Sequence, residues 1–283
     1  EVKMIVEANA KVNLSLSIVG TRKDGYHDLD MIMVPISLYD TIEIEVLDDE
    51  YETLVEMDDY SIPPQNSVTK AIALMKEHFH IEKDFSVYIH KRIPSEAGLG
   101  GGSSDAAFVM KAIVQLMNIQ TTDEELIELG KKIGADVPFF IKNCPARVQG
   151  IGEKITPIEG VKNYKLLLMK PFLGCSTKEI FHLFDQNHLH YDSQVEKAVQ
   201  ALKENHIKDL ATYLQNDLEE PAFSCLEDIR RIKEILKNEG LEVIKMSGSG
   251  STVFALSEDE ELLNRVMKKY QQKGYYLQIV SIL

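Results

Sequence analysis

Four glycines in five residues, followed by two serines and an aspartate, form the stretch of this sequence best suited to hold an anion. It reads PSEAGLGGGSSDAA over residues 94–107 and contains no lysine. Alternating residues at 85–93 predict a strand before it, and apolar residues at helical spacing from Val109 to Met117 predict a helix after it. A glycine-rich turn entering a helix N-terminus offers backbone N–H groups and a positive dipole end to phosphate. The stretch therefore predicts a phosphate site; a glycine turn without ligand is the alternative.

The loop matches neither of the two common nucleotide-binding motifs. A Walker loop ends in Gly-Lys-Ser/Thr, whereas Gly102 is followed here by Ser103 and Ser104. A dinucleotide fingerprint needs glycines at its first, third and sixth positions, and the sixth position counted from Gly98 is Ser103. The two serine hydroxyls can cap a helix, donate to phosphate or coordinate magnesium.

The composition excludes several classes of protein. The chain has 283 residues, of which 44% are hydrophobic and 27% charged, and a formal net charge of −14. Because nucleic-acid backbones require a basic surface, we expect no nucleic-acid partner. No apolar run approaches the ~20 residues of a membrane-spanning helix and no leader opens the chain, so we expect a cytoplasmic protein outside the membrane. Three widely spaced cysteines predict free thiols.

The elements around the loop indicate an α/β chain. Alternating apolar residues predict a sheet in the first quarter of the chain, and residues 67–80 predict a helix facing a core. A capping box of Thr122 and Glu125 begins a later helix, which should end at Gly134. The segment ADVPFF at 135–140 then follows directly.

The pattern of strands and helices restarts in the second half of the chain. A strand from Lys165 precedes several helices, a second glycine-serine run at 246–252 and a final strand. We place a lobe boundary near residues 155–164. This predicts an N-terminal lobe over residues 1–160 and a C-terminal lobe over residues 161–283.

Three stretches in order resemble the motifs of the GHMP small-molecule kinases. ANAKVNLSL at 8–16 is similar to the first motif, the glycine loop to the second, and MSGSGSTVFA at 246–255 to the third. The resemblance implies a two-lobe α/β fold of the α+β kind. Its N-terminal lobe, which binds ATP, has a mixed sheet with helices, its C-terminal lobe is ferredoxin-like, and the active site lies in the cleft between them. In that family the essential lysine comes from outside the loop.

Two further stretches are similar to one branch of the family. RKDGYHDL at 22–29 and IGADVPFF at 133–140 resemble kinases that use ATP to phosphorylate a cytidine-diphosphate-linked sugar alcohol on its 2-hydroxyl in non-mevalonate isoprenoid precursor biosynthesis. This implies a small-molecule substrate, Mg²⁺ as cofactor, and a monomer or homodimer. A kinase for another small alcohol, or a catalytically silent nucleotide-binding regulator, are the alternatives.

The resemblance assigns the catalytic pair to Lys11 and Asp136. Asp136 would accept the proton of the attacking hydroxyl or orient it, while Lys11 would keep Asp136 ionised and stabilise charge in the transition state. A solvated strand lysine and an aspartate capping a turn before Pro138 are the alternatives. The first motif of the family has a proline where this chain has Asn9, which removes local stiffness.

The resemblance also assigns binding residues. Tyr26 would stack on the cytosine, and His27 would read its edge. Phe181 would sandwich the same ring; a core residue on its helix is the alternative. Ser103 is the expected magnesium contact. The residues assigned to ATP are Pro94, Ser95, Glu96, Ala97, Gly98, Leu99, Gly100, Gly101, Gly102, Ser103, Ser104, Asn66 and Lys91. The residues assigned to the acceptor are Asn13, Tyr26, His27, Phe181, Thr177 and Gly248.

Overall fold

Two long strands open the chain, β1 (Lys3–Thr21) and β2 (His27–Val46). They pair with each other, as the alternating residues predict. The computed structural model describes residues 3–48, 51–58, 65–187 and 192–283. The chain divides into two compact units. The first unit comprises Glu1–Ala10, Leu38–Pro94 and Gly100–Asn143, and the second comprises Lys11–Ser37, Ser95–Leu99 and Cys144–Leu283.

The first unit combines a mixed sheet with four helices. Strand β4 (Phe85–His90) pairs antiparallel with the end of β2, and β3 (Leu54–Met57) pairs parallel with β4. Helix α1 (Ser67–Phe79) packs on α2 (Gly101–Leu116), and α2 packs on α4 (Val137–Lys142). The mixed sheet with helices predicted for the N-terminal lobe is confirmed.

Helix α3 (Asp123–Gly130) starts as predicted and ends earlier than predicted. The Thr122 hydroxyl accepts from the backbone N–H of Glu125 at 3.2 Å, which is the expected N-cap bond. The reciprocal half of the predicted capping box is not formed, because the Glu125 carboxylate accepts from the Thr121 hydroxyl at 2.6 Å instead. The helix ends at Gly130 rather than at Gly134, and a turn covers the residues between them. A Cβ on Gly130 would lie 2.8 Å from Val137 Cγ1, so this glycine is where α4 approaches α3.

The second unit contains the ferredoxin-like arrangement that the resemblance implies. Its four-stranded antiparallel sheet has the order β10-β7-β9-β8, and helices connect β7 to β8 and β9 to β10, which is the βαββαβ pattern. A hairpin of β5 (Ala146–Gly150) and β6 (Lys154–Pro157) pairs with the start of β2. The other elements are β7 (Lys165–Lys170), α5 (Thr177–Asn187), α6 (Val195–Glu204), α7 (Ile207–Tyr213), α8 (Glu219–Cys225), α9 (Glu227–Asn238), β8 (Val243–Met246), β9 (Val253–Ser257), α10 (Glu260–Tyr270) and β10 (Tyr276–Ser281).

The lobe boundary near residues 155–164 stays a prediction. The compact units are discontinuous in sequence because β1, β2 and the glycine loop contribute residues to both. Within the described ranges, no helix is long and apolar enough to cross a membrane.

Candidate active site

In the glycine loop, the backbone carbonyl groups of residues 96–99 are all hydrogen-bonded. The four carbonyls of residues 96–99 each accept a hydrogen bond within the second unit. Because the N–H of a trans peptide points opposite to its C=O, the N–H groups of residues 97–100 are directed away from these partners. The donors, in the order of their acceptors, are Ser251 N at 3.3 Å, Thr252 N at 3.2 Å, Ser247 Oγ at 2.9 Å and Lys11 N at 3.0 Å. Such a row of N–H groups can hold an anion.

Two glycines of the loop are required by geometry. Gly98 has φ +73°, and a Cβ on it would lie 2.1 Å from the carbonyl oxygen of Ser247. Gly100 is the N-cap of α2 with φ +72° and therefore caps the helix without a side chain. The loop is thus shaped by contact with the third motif at one end and by the helix start at the other.

The second part of the loop begins α2 in the first unit. The Ser104 hydroxyl is buried and donates to the carbonyl of Asn9 at 2.6 Å, so it is committed to the first motif. The Ser103 hydroxyl lies near Gly134, where a Cβ would be 3.5 Å from its oxygen. Ser103 therefore lies beside the GAD segment at 134–136. The first-turn N–H groups of a helix have no partner within it and suit a phosphate.

Of the other two residues assigned to ATP, Lys91 lies next to the start of α2, whereas for Asn66 it is the neighbouring Ser67 that lies there. A Cβ on Gly101 would lie 3.4 Å from Lys91 Nζ, and a Cβ on Gly102 would lie 3.9 Å from the hydroxyl of Ser67. Asn66 is the N-cap of α1 and shares a reciprocal capping box with Thr69. The structure therefore brings Lys91 to the loop and gives Asn66 a helix-capping role; contact of either residue with ATP stays a prediction.

Lys91 belongs to a buried cluster of charges that the sequence did not indicate. Its amino group contacts Asp40 Oδ2 and lies 2.8 Å from Asp105 Oδ2. Both carboxylate side chains are 0% exposed, and that of Lys91 is 10% exposed. Asp40 Oδ1 also accepts from the backbone N–H groups of Arg92 and Ile93 at 2.6 and 2.9 Å. The cluster thus fixes the residues that follow β4 against the second turn of α2.

Burial raises the pKa of Asp105 to about 7, with Asp40 raising it further and Lys91 opposing the shift. Its Oδ1 atom is buried and has no hydrogen-bond partner among the described residues. A folded-state pKa above the ordinary value of 3.8 means that the folded protein binds the proton more tightly. The resulting stability is present at low pH and is lost as the pH rises through about 7.

The Asp105→Asn variant tests this titration. Because an amide does not ionise, the free energy of unfolding of wild type relative to Asp105→Asn is expected to fall as the pH rises from about 5 to about 8. Urea unfolding at several pH values measures the difference. Asp84→Asn is the control, since its hydrogen bond with Lys76 lowers the pKa of Asp84 and places its titration below this window. A constant difference for Asp105→Asn would contradict the elevated pKa.

The first and third motifs meet in the second unit. Lys11 Nζ contacts the side-chain oxygen of Asn13, and both residues are buried. The backbone N–H of Asn13 donates to the Ser247 hydroxyl at 3.1 Å. A Cβ on Gly248 would lie 3.2 Å from Asn13 Oδ1, so the glycine permits this approach. Lys11, Asn13 and Gly248 are therefore brought together, and Lys11 is not a solvated strand lysine.

Asn9, which replaces the family proline, contacts Asn143 at the end of α4. The two side chains exchange amide hydrogen bonds, Asn9 Nδ2 to Asn143 Oδ1 at 3.0 Å and Asn143 Nδ2 to Asn9 Oδ1 at 2.8 Å. These bonds restrain the segment before Lys11 through side-chain contacts rather than through a proline ring.

Asp136 precedes α4 in the first unit. Its backbone is right-handed helical, at φ −88° and ψ −11°, and its side chain does not cap this described helix. The helix is held to α2 by Lys111, whose Nζ donates to the carbonyl of Phe140 at 2.7 Å. Burial lowers the pKa of Lys111. Asp136 thus lies at the start of a helix that Lys111 holds against α2. The alternative that Asp136 caps a turn before Pro138 gains no support from α4, because the Asp136 side chain does not cap this helix.

His27 is the centre of an aromatic and polar cluster in the second unit. Its ring stacks on Phe181 at a centroid distance of 5.0 Å and an interplanar angle of 28°, and the edge of Phe184 lies 6.1 Å away. The His27 Nε2 atom lies 2.7 Å from Asp185 Oδ1. Tyr26, the preceding residue, is 64% exposed. Phe181 therefore contacts His27 as well as belonging to a helix.

Thr177 and the third motif are also connected within this unit. The Thr177 hydroxyl lies 2.8 Å from that of Ser249. Sequence reasoning missed Asp185, although its spacing of four residues from Phe181 on one helix was a usable signal. It also missed Asp40, Asp105 and Asn216, because the partners of these buried polar residues lie far away in the sequence.

Comparison with known proteins gives two family matches. The model for the GHMP kinases N terminal domain matches residues 66–143, and that for the GHMP kinases C terminal matches residues 198–276.

Curated proteins and solved structures extend this likeness over the whole chain. The 4-diphosphocytidyl-2-C-methyl-D-erythritol kinase of Clostridium beijerinckii is 38% identical over 272 residues, which cover 95% of this chain and 97% of that protein. The enzyme of the same name from Clostridioides difficile is 38% identical, with coverage of 94% and 92%. A crystal structure of 4-(cytidine 5'-diphospho)-2C-methyl-D-erythritol kinase has a TM-score of 0.81 at 29% identity, covering 98% of this chain and 99% of that one. Homoserine kinase from Cytophaga hutchinsonii, at 17% identity and a TM-score of 0.77 with coverage of 100% and 95%, shares the fold.

Proposed function

Because this chain belongs to the GHMP kinase family, and within it to the 4-diphosphocytidyl-2-C-methyl-D-erythritol kinases, we propose that it transfers the γ-phosphoryl group of ATP to the 2-hydroxyl of 4-diphosphocytidyl-2-C-methyl-D-erythritol. The kinase activity follows from the family. The acceptor and the roles of individual residues are the proposal.

The observation that carries the acceptor assignment is the cluster around His27. In the tautomer that donates from Nε2 to Asp185, the Nδ1 atom of His27 becomes an acceptor. A cytosine presents an exocyclic amino group, which is the donor that this nitrogen needs. The exposed ring of Tyr26 and the half-buried ring of Phe181 offer faces for a pyrimidine. By accepting from Nε2, Asp185 therefore makes Nδ1 the atom of His27 that accepts a hydrogen bond from the base.

The glycine loop supports binding of the ATP phosphates. The N–H groups of residues 97–100 are directed away from the partners of the preceding carbonyls, and backbone N–H groups of this kind, like those of a helix start, can bind phosphate without a lysine. This accounts for the difference between the loop and a Walker motif. Neutralisation of the transferred group is left to residues outside the loop.

The proposed chemistry uses Lys11 and Asp136. Asp136 accepts the proton of the attacking hydroxyl, and Lys11 stabilises the negative charge that develops on the transferred group. The side-chain oxygen of Asn13 contacts Lys11 Nζ and directs one of its N–H bonds. The acceptor hydroxyl becomes a phosphate ester and ADP leaves.

Magnesium fits the donor set around the loop as an ion held mainly by phosphates. The half-buried hydroxyl of Ser103 beside Gly134 is a suitable single protein ligand, since Mg²⁺ in such sites keeps waters and uses few protein oxygens. In the described ranges no group of three acidic, histidine or cysteine side chains forms a dedicated cage. When bound, the ion would supply charge neutralisation on the phosphates.

A coupled assay of ADP release tests the proposed function. Wild-type protein with Mg-ATP is expected to turn over 4-diphosphocytidyl-2-C-methyl-D-erythritol and not the cytidine-free alcohols mevalonate and homoserine. Faster turnover of a cytidine-free alcohol would show that this alcohol, and not the cytidylyl compound, is the acceptor. ATP binding without phosphorylation of any acceptor would favour a nucleotide-binding regulator.

The Phe181→Leu variant tests the base pocket. Loss of one stacking face is expected to cost about 1–3 kcal/mol of acceptor binding, which raises the KM for the cytidylyl acceptor roughly 5- to 150-fold. The KM for ATP should stay unchanged. Phe184→Leu is the matched control, because Phe184 lies on the same helix and contacts His27 but is buried. An equal rise in KM for both variants would indicate a packing effect rather than a base contact.

A further inference from the structure

The 215–217 segment, Gln215–Asn216–Asp217, connects α7 to α8 and lies along β1. The backbone N–H of Leu16 donates to the carbonyl of Gln215 at 2.8 Å, and the N–H of Asp217 donates to the carbonyl of Leu16 at 3.1 Å. These two bonds form a parallel bridge between Leu16 and Asn216. The segment is therefore fixed to the strand that carries the first motif.

The side chain of Asp217 strengthens this attachment. Its Oδ2 atom accepts from the backbone N–H of Ile18 at 2.7 Å and from the Ser17 hydroxyl at 3.3 Å. Hydrogen bonds to a buried carboxylate are charge-assisted and stronger than those between neutral groups. These hydrogen bonds thus hold the backbone of the neighbouring Asn216 in place against β1.

The amide of Asn216 uses both of its donor hydrogens on the third motif. Its Nδ2 atom donates to the carbonyls of Met246 and Gly248, each at 2.8 Å. Its Oδ1 atom accepts from the backbone N–H of Leu218 at 2.9 Å, which fixes the orientation of the amide. The side chain is buried, so both carbonyls would lose their partner if the amide were removed.

The two carbonyls that Asn216 holds are on either side of Ser247. The Ser247 hydroxyl accepts from the N–H of Asn13 and donates to the carbonyl of Gly98. Gly248 in turn lies against the side-chain oxygen of Asn13, which contacts Lys11 Nζ. One amide therefore sets the position of a loop that contacts both the lysine-bearing motif and the glycine loop.

We infer that Asn216 is a positioning residue, whose amide holds the third-motif loop so that Asn13 and Lys11 keep their productive geometry. The inference rests on the proposed roles of Lys11 and Asn13. An asparagine is needed because two carbonyl oxygens must be bound by one planar NH₂ group. A carboxylate of the same shape would place negative charge against both oxygens.

The Asn216→Asp variant tests the inference by steady-state kinetics. We expect kcat to fall about 10- to 100-fold, because small displacements of reacting groups are costly, and the KM for ATP to rise by a smaller factor, since Ser247 also holds the carbonyl of Gly98 in the glycine loop. Asn163→Asp controls for the same chemical change at an exposed site, since Asn163 in the same unit donates from Nδ2 to the carbonyl of Ile282 at 2.8 Å, away from the three motifs. It should lose stability and keep the wild-type kcat below its melting temperature.

Hydrogen exchange gives a readout that does not depend on the acceptor. In Asn216→Asp, exchange should accelerate in peptides that contain the amides of Asn13 and Ser247, and it should not in Asn163→Asp. Unchanged exchange in both peptides, or an unchanged kcat, would overturn the inference. If the wild type is inactive with the cytidylyl acceptor, the proposed function fails while the exchange experiment still decides the structural claim. If Asn216→Asp does not fold, Asn216→Ala, which adds no charge, is measured in the same way.

Discussion

Replacing Asp136 by asparagine is expected to lower kcat by about 10²- to 10⁴-fold without weakening ATP binding. Asparagine keeps the shape of the side chain but cannot take the proton of the attacking hydroxyl. The start of α4 should keep its conformation, because the Asp136 side chain does not cap this described helix and Lys111 anchors it through Phe140. The measurement is the rate of ADP release at saturating acceptor, together with nucleotide binding by calorimetry.

Two variants control for this effect. Asp123→Asn changes an exposed carboxylate in the same unit and should leave kcat unchanged. Lys11→Ala should reduce kcat strongly, and the double variant Lys11→Ala/Asp136→Asn should be little worse than the more damaging single variant, because residues that act as a unit are not additive. Near-normal turnover of Asp136→Asn would remove Asp136 from the mechanism.

Replacing Lys91 by methionine is expected to cost about 3–5 kcal/mol of unfolding free energy. The amino group is the shared partner of Asp40 and Asp105, whose side chains are both fully buried. Without it, Asp40 would lose its buried cationic partner, and the pKa of Asp105, which Lys91 holds down, would rise further, so that Asp105 would have to bind a proton. Loss of the cluster should also loosen the first turn of α2, so the KM for ATP should rise. Urea unfolding and steady-state kinetics measure the two effects.

Removal of all three charges separates the effect of unpaired charge from a simple loss of packing. The triple variant Lys91→Met/Asp40→Asn/Asp105→Asn removes all three charges and should recover much of the lost stability. Lys142→Met is the surface control, because Lys142 forms ion pairs with the exposed side chains of Asp123 and Glu124; its cost should stay below about 1 kcal/mol. Equal losses for Lys91→Met and the triple variant would show that the charges are not the cause.

Local signals in the sequence determined the framework of this protein. Consecutive residues of the sequence carry the signals for a strand, a glycine-rich turn and a helix start. The loop at 94–107 and the beginning of α2 could therefore be predicted. The N-cap of α3 at Thr122 was equally local. Three motifs in order, together with two flanking stretches, were enough to identify the family. These features share a cause: turn, cap and periodicity depend on neighbours within a few residues.

Only the tertiary structure decided which polar groups support the site. Lys91 meets Asp40, His27 meets Asp185, and Asn216 reaches the third motif across separations of 51, 158 and 30 residues. The close approach of Val137 to Gly130 at the end of α3 is a further contact of the folded chain that local signals in the sequence did not indicate. A charged or amide side chain in a sequence looks the same whether it is solvated or buried. Its role depends on the partner that folding places beside it, and burial then makes that partner indispensable, because an unpaired polar group cannot return to water.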